Sequence, residues 1–223
     1  MHADGSGDEG KLLSEQIDYY RAVAEEYFDG QLDEPGADEL VAAVEEFRPH
    51  GDVLEFGCGP GTWTLQLLRH ADTVTALDAS EEMQGLARQR VAGASDRVRF
   101  VVADLFSWTP DRGYDAVFMG FWLSHVPWSR FDDFWALVER CLAPGGRVCF
   151  VDDAYRTPDE LIEGADSSTI QRRLQDGTRH RAVKVPHTAE GLQRELSRLG
   201  WNIAVHQTSG PFYWGAGERA VNS

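Results

Sequence analysis

From about residue 52 the chain alternates between two hydrophobic periods. Short apolar runs, DVLEF (52–56), DTVTALD (72–78), RVRFVVAD (97–104), YDAVFMG (114–120) and RVCFVDD (147–153), read as strands. Between them lie segments with the three-to-four-residue spacing of amphipathic helices: GTWTLQLLRH, a stretch from Ser80 to about Val91, and RFDDFWALVERCL, stopped by Pro144-Gly145-Gly146. Ser80 stands before Glu81 and Glu82, the pattern of an N-cap followed by acids in the first turn. This rhythm predicts an α/β fold, a mostly parallel sheet with helices on both faces. A helix at TAEGLQRELSRLG, a strand at WNIAVHQ and an aromatic run, PFYWGAG, follow. Two helical stretches, about 11–29 and 37–47, precede the sheet as a helical cap over 11–47. Residues 1–10 are polar, acidic and glycine-rich and read as a disordered tail, leaving 11–223 as one domain.

Charge singles out one segment. The chain carries 37 acids against 21 bases, for a formal net charge of −16. That balance argues against nucleic-acid or membrane-surface partners, which require a broad basic face. Yet QRRLQDGTRHRAVKV (171–185) holds four arginines, a lysine and a histidine against one acid. Asp176-Gly177 is a two-residue turn signal, so 170–175 and 178–185 are expected to pair as a β-hairpin, within an insert over 166–186. Strict two-residue pairing puts Arg173, His180 and Lys184 on one face; Arg172 joins Lys184 only through a bulge. No apolar run reaches the roughly 18 residues of a membrane span. Cys58, Cys141 and Cys149 are odd in number and lack metal-pair spacing. They read as reduced thiols of a cytoplasmic protein, with no metal site. Monomer and homodimer both remain open.

In open parallel sheets, ligands sit at the carboxyl ends of the strands. Here those ends carry Glu55, Gly57, Asp78, Asp104 and Gly120. The loop in LEFGCGPGTWT (54–64) would let the backbone pass close beneath a ligand at Gly57 and Gly59. A dinucleotide fingerprint in this register would need a third glycine where Thr62 stands, and Glu55 would repel a pyrophosphate. Acids at three successive strand ends suit a cationic cofactor better: Asp78 can accept ribose hydroxyls and Asp104 an adenine amine, with Met83 against the adenine face.

VLEFGCGPGTWT, VTALDAS, VVADLF and YDAVFMGFWLSHVP, in this order, resemble the successive motifs of the class I S-adenosylmethionine-dependent methyltransferases over about 52–152. The resemblance implies a Rossmann-like, seven-stranded, mostly parallel sheet whose last strand is antiparallel. It implies S-adenosylmethionine as cofactor, S-adenosylhomocysteine as product, and Leu105 among the cofactor contacts. YYRAVAEEYF (19–28) resembles the N-terminal helix of small-molecule members, which implies that Tyr20 and Arg21 fold over the cofactor's carboxylate. DLFSWTPDR, WLSHVP and the basic segment are similar to the phosphonate O-methyltransferase branch of dehydrophos biosynthesis. That likeness implies Trp122, His125, Arg172 and Lys184 around a small-molecule anionic acceptor, a phosphonate or carboxylate oxygen, in specialised metabolism.

An anionic oxygen needs no base. A nitrogen or hydroxyl acceptor would need one, with His125 as the catalytic candidate. A cofactor-binding module without turnover is a third class. Cofactor binding with no methyl transfer would distinguish it.

Overall fold

The computed structural model describes residues 5–27 and 31–220. Helices α1 (Gly5–Val23) and α2 (Ala37–Phe47) precede the sheet. Then β1 (Asp52–Phe56), α3 (Thr62–Leu67), β2 (Thr73–Asp78), α4 (Glu81–Arg90) and β3 (Val98–Val102) follow in strict alternation. Next come β4 (Tyr114–Gly120), α5 (Phe131–Cys141) and β5 (Leu142–Asp153). A separate two-stranded ribbon, β6 (Thr169–Arg173) and β7 (Arg179–Val183), leads to α6 (Ala189–Arg198), β8 (Trp201–Gln207) and β9 (Phe212–Arg219). The seven-stranded sheet runs β3-β2-β1-β4-β5-β9-β8. Its first five strands are parallel, and β9 is antiparallel to both β5 and β8. Strand order reverses between β1 and β4, which is where such a sheet opens a crevice.

The strands are apolar on both sides because both sides are covered. Leu54, Phe56, Val117, Met119 and Phe150 pack with Phe134 and Trp135 of α5 and Leu192 and Leu196 of α6. The alternate positions, Val53, Ala116, Phe118, Cys149 and Val151, pack with Leu40 and Val44 of α2 and Trp63 and Leu67 of α3. Burying each large side chain contributes about 1.5–3 kcal/mol. Ser80 caps α4 as its position predicts, its hydroxyl accepting from the Met83 N–H at 3.1 Å.

Two expectations are corrected. The tail over 1–10 is helical from Gly5, with residues 1–4 outside the described part. Its acids have partners: Glu9 takes Arg130 Nε at 2.7 Å and the Ser129 hydroxyl, and Asp8 stands 3.8 Å from Arg181. A local composition argument cannot see partners that lie more than a hundred residues away. The second correction is the hairpin turn. Leu174 and Thr178 close it (N–H to O, 2.9 Å), and Gly177 N–H donates to Leu174 O at 3.0 Å, so it holds three residues, Gln175, Asp176 and Gly177. Gly177 supplies the left-handed geometry, with φ +92°. The extra residue moves the register by one and pairs Arg172 with His180 and Ile170 with Ala182. Lys184 continues that face, its N–H donating to Ser168 O at 2.7 Å. Arg172, His180 and Lys184 therefore share the inner face, and Arg173 is exposed opposite Arg179.

Candidate active site

A cavity opens at the carboxyl ends of β1, β2, β3 and β4. Its floor is the glycine loop, where Gly57 and Gly59 have φ of +63° and +49°. A Cβ on Gly59 would meet nothing within 4 Å, so the loop leaves open space above its backbone. Asp78 is fixed at the end of β2 by two backbone donors, Gly59 N–H and Ser80 N–H, each at 2.8 Å. Burial pushes its carboxyl above the usual range. Beyond it stand Met83 and Leu105, both buried, and Asp104, whose Oδ1 accepts from Phe106 N–H at 3.0 Å.

The opposite wall is built from α1, the turn after β4, and the ribbon. His125 is buried, and both ring nitrogens are occupied. Nδ1 lies 2.6 Å from the Val183 carbonyl oxygen, which can only accept, so Nδ1 carries the proton. Nε2 then accepts from the Tyr20 hydroxyl at 2.9 Å. Burial, and next the charge of Lys184, push the imidazole down to about 3, so it is neutral at physiological pH. Lys184 is 2% exposed, with Nζ 3.0 Å from Asp153, 3.1 Å from the Ser124 hydroxyl and 3.5 Å from Asp152. Asp152 accepts from both the N–H and the hydroxyl of Ser124 at 2.8 Å. Burial raises the Asp152 carboxyl against the pull of Lys184. Arg172 pairs with Glu160 through Nη1 alone and lines the cavity.

Of the residues singled out in the sequence, Gly57, Gly59, Asp78, Met83, Asp104, Leu105 and Gly120 line this cavity around the strand ends. Trp122, His125, Arg172 and Lys184 line it as well. Tyr20 also lines it, but on the opposite wall beside His125. Because its proton goes to Nε2, it cannot donate to a carboxylate. Arg21 lies elsewhere: it is half exposed, reaches the Ala79 carbonyl at 3.3 Å and stands 3.6 Å from Asp18. Glu55 does not reach the cavity either. Strand alternation puts it on the α3 side with Val53, where Oε2 accepts from the Thr64 hydroxyl at 2.6 Å and burial pushes its carboxyl up to about 8.

Lining residues outside that set include Leu13, Gln16, Ile17, Trp63 and Asp153. The first three and Tyr20 fall at the i, i+3, i+4, i+7 spacing of one helix face, which is a readable signal. Gln16 turns its Oε1 to the Val183 N–H at 2.9 Å. Asp153 ends β5 as Asp78 ends β2.

Residues 53–146 match the family described as Methyltransferase domain. Over 182 residues the chain is 31% identical to the trans-aconitate 2-methyltransferase of Streptomyces avermitilis, a match covering 78% of this chain and 66% of that protein. The chain spans about half to two thirds of the length of the curated relatives it matches first. Among solved structures, a DhpI–SAH complex superposes with a TM-score of 0.80 at 39% identity, covering 95% of this chain and 98% of that one. A DhpI–SAM–HEP complex gives 0.79 at 38%, covering 97% and 99%.

Proposed function

Since this chain belongs to the S-adenosylmethionine-dependent methyltransferases, we propose that it methylates an anionic oxygen, phosphonate or carboxylate, of a small molecule. The carrying observation is that Arg172 and Lys184 line the same cavity as the glycine loop, Asp78 and Asp104. The names of its relatives, a trans-aconitate 2-methyltransferase and DhpI, support the same reading.

The residues present fit the cofactor, which when bound supplies an electrophilic methyl group on a sulfonium. Asp78 keeps lone pairs beyond its two backbone bonds and would accept the ribose hydroxyls. Asp104 would accept from the adenine, and Met83 offers it an apolar flank. On the acceptor wall, the free edge of the Arg172 fork would bind two oxygens of the anion. Lys184, held by Asp152 and Asp153, keeps a positive charge in the buried wall behind it. Displacement at carbon requires an in-line oxygen stripped of water, so positioning and desolvation are the protein's main contributions.

No proton need be removed from an anionic oxygen. The geometry agrees: His125, with both nitrogens engaged, positions Tyr20 and the ribbon and is not poised as a base. We extend the reading to a cytoplasmic enzyme of specialised metabolism, which the three free thiols Cys58, Cys141 and Cys149 suit.

The test is a mass-spectrometric screen with S-adenosylmethionine against phosphonates, carboxylates and amines of matched size. Methyl esters of the acids, formed together with S-adenosylhomocysteine, are expected. Methylation confined to amines would overturn the proposal.

A further inference from the structure

Two indole N–H groups on this cavity, Trp63 Nε1 and Trp122 Nε1, are buried without a hydrogen-bond partner. An indole nitrogen can only donate, and a buried donor left unpaired pays its full desolvation cost. Both rings stand at the point where strand order reverses. Phe56 pairs with Met119, so the next residues, Gly57 just after β1 and Gly120 at the end of β4, lie side by side. A Cβ on Gly57 would lie 2.9 Å from Trp122 Cε3, the benzo edge. A Cβ on Gly120 would lie 2.4 Å from Trp63 Cδ1 and 3.0 Å from its Nε1. Trp63, 5% exposed, thus brings its N–H edge to the end of β4. Trp122 turns its carbocycle to the loop and sits by Phe106 and His125 on the acceptor side.

The order of the strand ends decides which part of the cofactor comes here; this step rests on the cofactor assignment above. Asp104 follows β3 and Asp78 ends β2, so an adenosyl group laid across them directs its remaining chain toward the ends of β1 and β4. That remaining chain is an amino acid whose carboxylate needs donors. Arg21, the cation expected there, is turned to Ala79 and Asp18. The Tyr20 hydroxyl already spends its hydrogen bond on His125 Nε2. We propose that Trp63 holds the cofactor's carboxylate through its indole N–H.

Trp63→Phe keeps an aromatic ring against Phe118 and Phe121 and removes only the donor. Calorimetric titration compares S-adenosylhomocysteine with methylthioadenosine, the same adenosyl thioether without the amino acid. The variant should bind S-adenosylhomocysteine roughly ten- to a hundredfold more weakly, the range for a bond to a charged group, and methylthioadenosine unchanged. An equal loss for both ligands, or no loss for either, overturns the proposal. If the variant does not fold, the wild-type indole resonances carry the test. The Trp63 N–H signal should move with S-adenosylhomocysteine and stay with methylthioadenosine; any other pattern refutes it. Wild-type protein that binds neither ligand would refute the cofactor assignment itself.

Discussion

Glu55, buried, and Asp78, half-buried, are acids near the ends of adjacent strands, and their surroundings separate their roles. Asp78 is stabilised as an anion by two backbone N–H groups and faces the cavity. Glu55 has one hydroxyl donor, Thr64, and no cation, so desolvation dominates and its carboxyl rises from 4.5 to about 8. The sign of its pH effect follows by linkage. Below about 4.5 both folded and unfolded chains are protonated at this site and the stability is fully present. From there to about 8 only the unfolded chain ionises, so stability is lost as pH rises. Glu55→Gln keeps an acceptor for Thr64 and removes the titration. In urea denaturation between pH 5 and 8, the wild type should lose about 1.4 kcal/mol per pH unit relative to the variant. Parallel stability curves would show that Glu55 is ionised in the folded protein.

The ribbon of β6 and β7 shows how one turn residue decides which charge faces the cavity. The Asp176-Gly177 pair correctly marks a turn, yet the pairing of Leu174 with Thr178 takes Gln175 into it and moves Arg172 inward. A dipeptide signal locates a turn to within a residue, and with a side-chain period of two a single residue changes the face. Tertiary contacts select the observed register. Ile170 and Ala182 are fully buried, and the inner ribbon is clasped by α1 through Arg181–Glu15 (2.9 and 3.0 Å) and Gln16–Val183. Arg172→Met should raise KM for the acid acceptor roughly ten- to a hundredfold, while Arg173→Met leaves it unchanged. Because the first change strands Glu160, whose side chain is 15% exposed, the pair R172M/E160Q separates lost binding from a buried unpaired charge. Steady-state kinetics giving the larger effect to Arg173 would reverse the register.

At the scale of the whole molecule, the strands were legible because each is an apolar run with its own punctuation. Asp78 and Asp104 were legible as acids at predictable strand ends and Lys184 as a cation of the expected ribbon, whereas Arg172 was implied only by the family resemblance. What escaped was set by contacts between distant segments: Tyr20 with His125, 105 positions apart, and Glu9 with Arg130, 121 apart. Charge distribution at this scale makes a separate prediction. Arg172 and Lys184 each face acids, Glu160 and the pair Asp152 and Asp153, so seen from a distance their charges cancel. The far field is then that of a chain with a net charge of −16, which repels an anionic acceptor during approach. Salt shortens that field from a Debye length of about 30 Å at 0.01 M to about 8 Å at 0.15 M. Contacts inside the buried wall are screened far less. With cofactor saturating, kcat/KM for an anionic acceptor should therefore rise with ionic strength, on the order of twofold over this range. A fall instead would mean that the outward cations of the ribbon, Arg173 and Arg179, steer the acceptor in against the field of the whole protein.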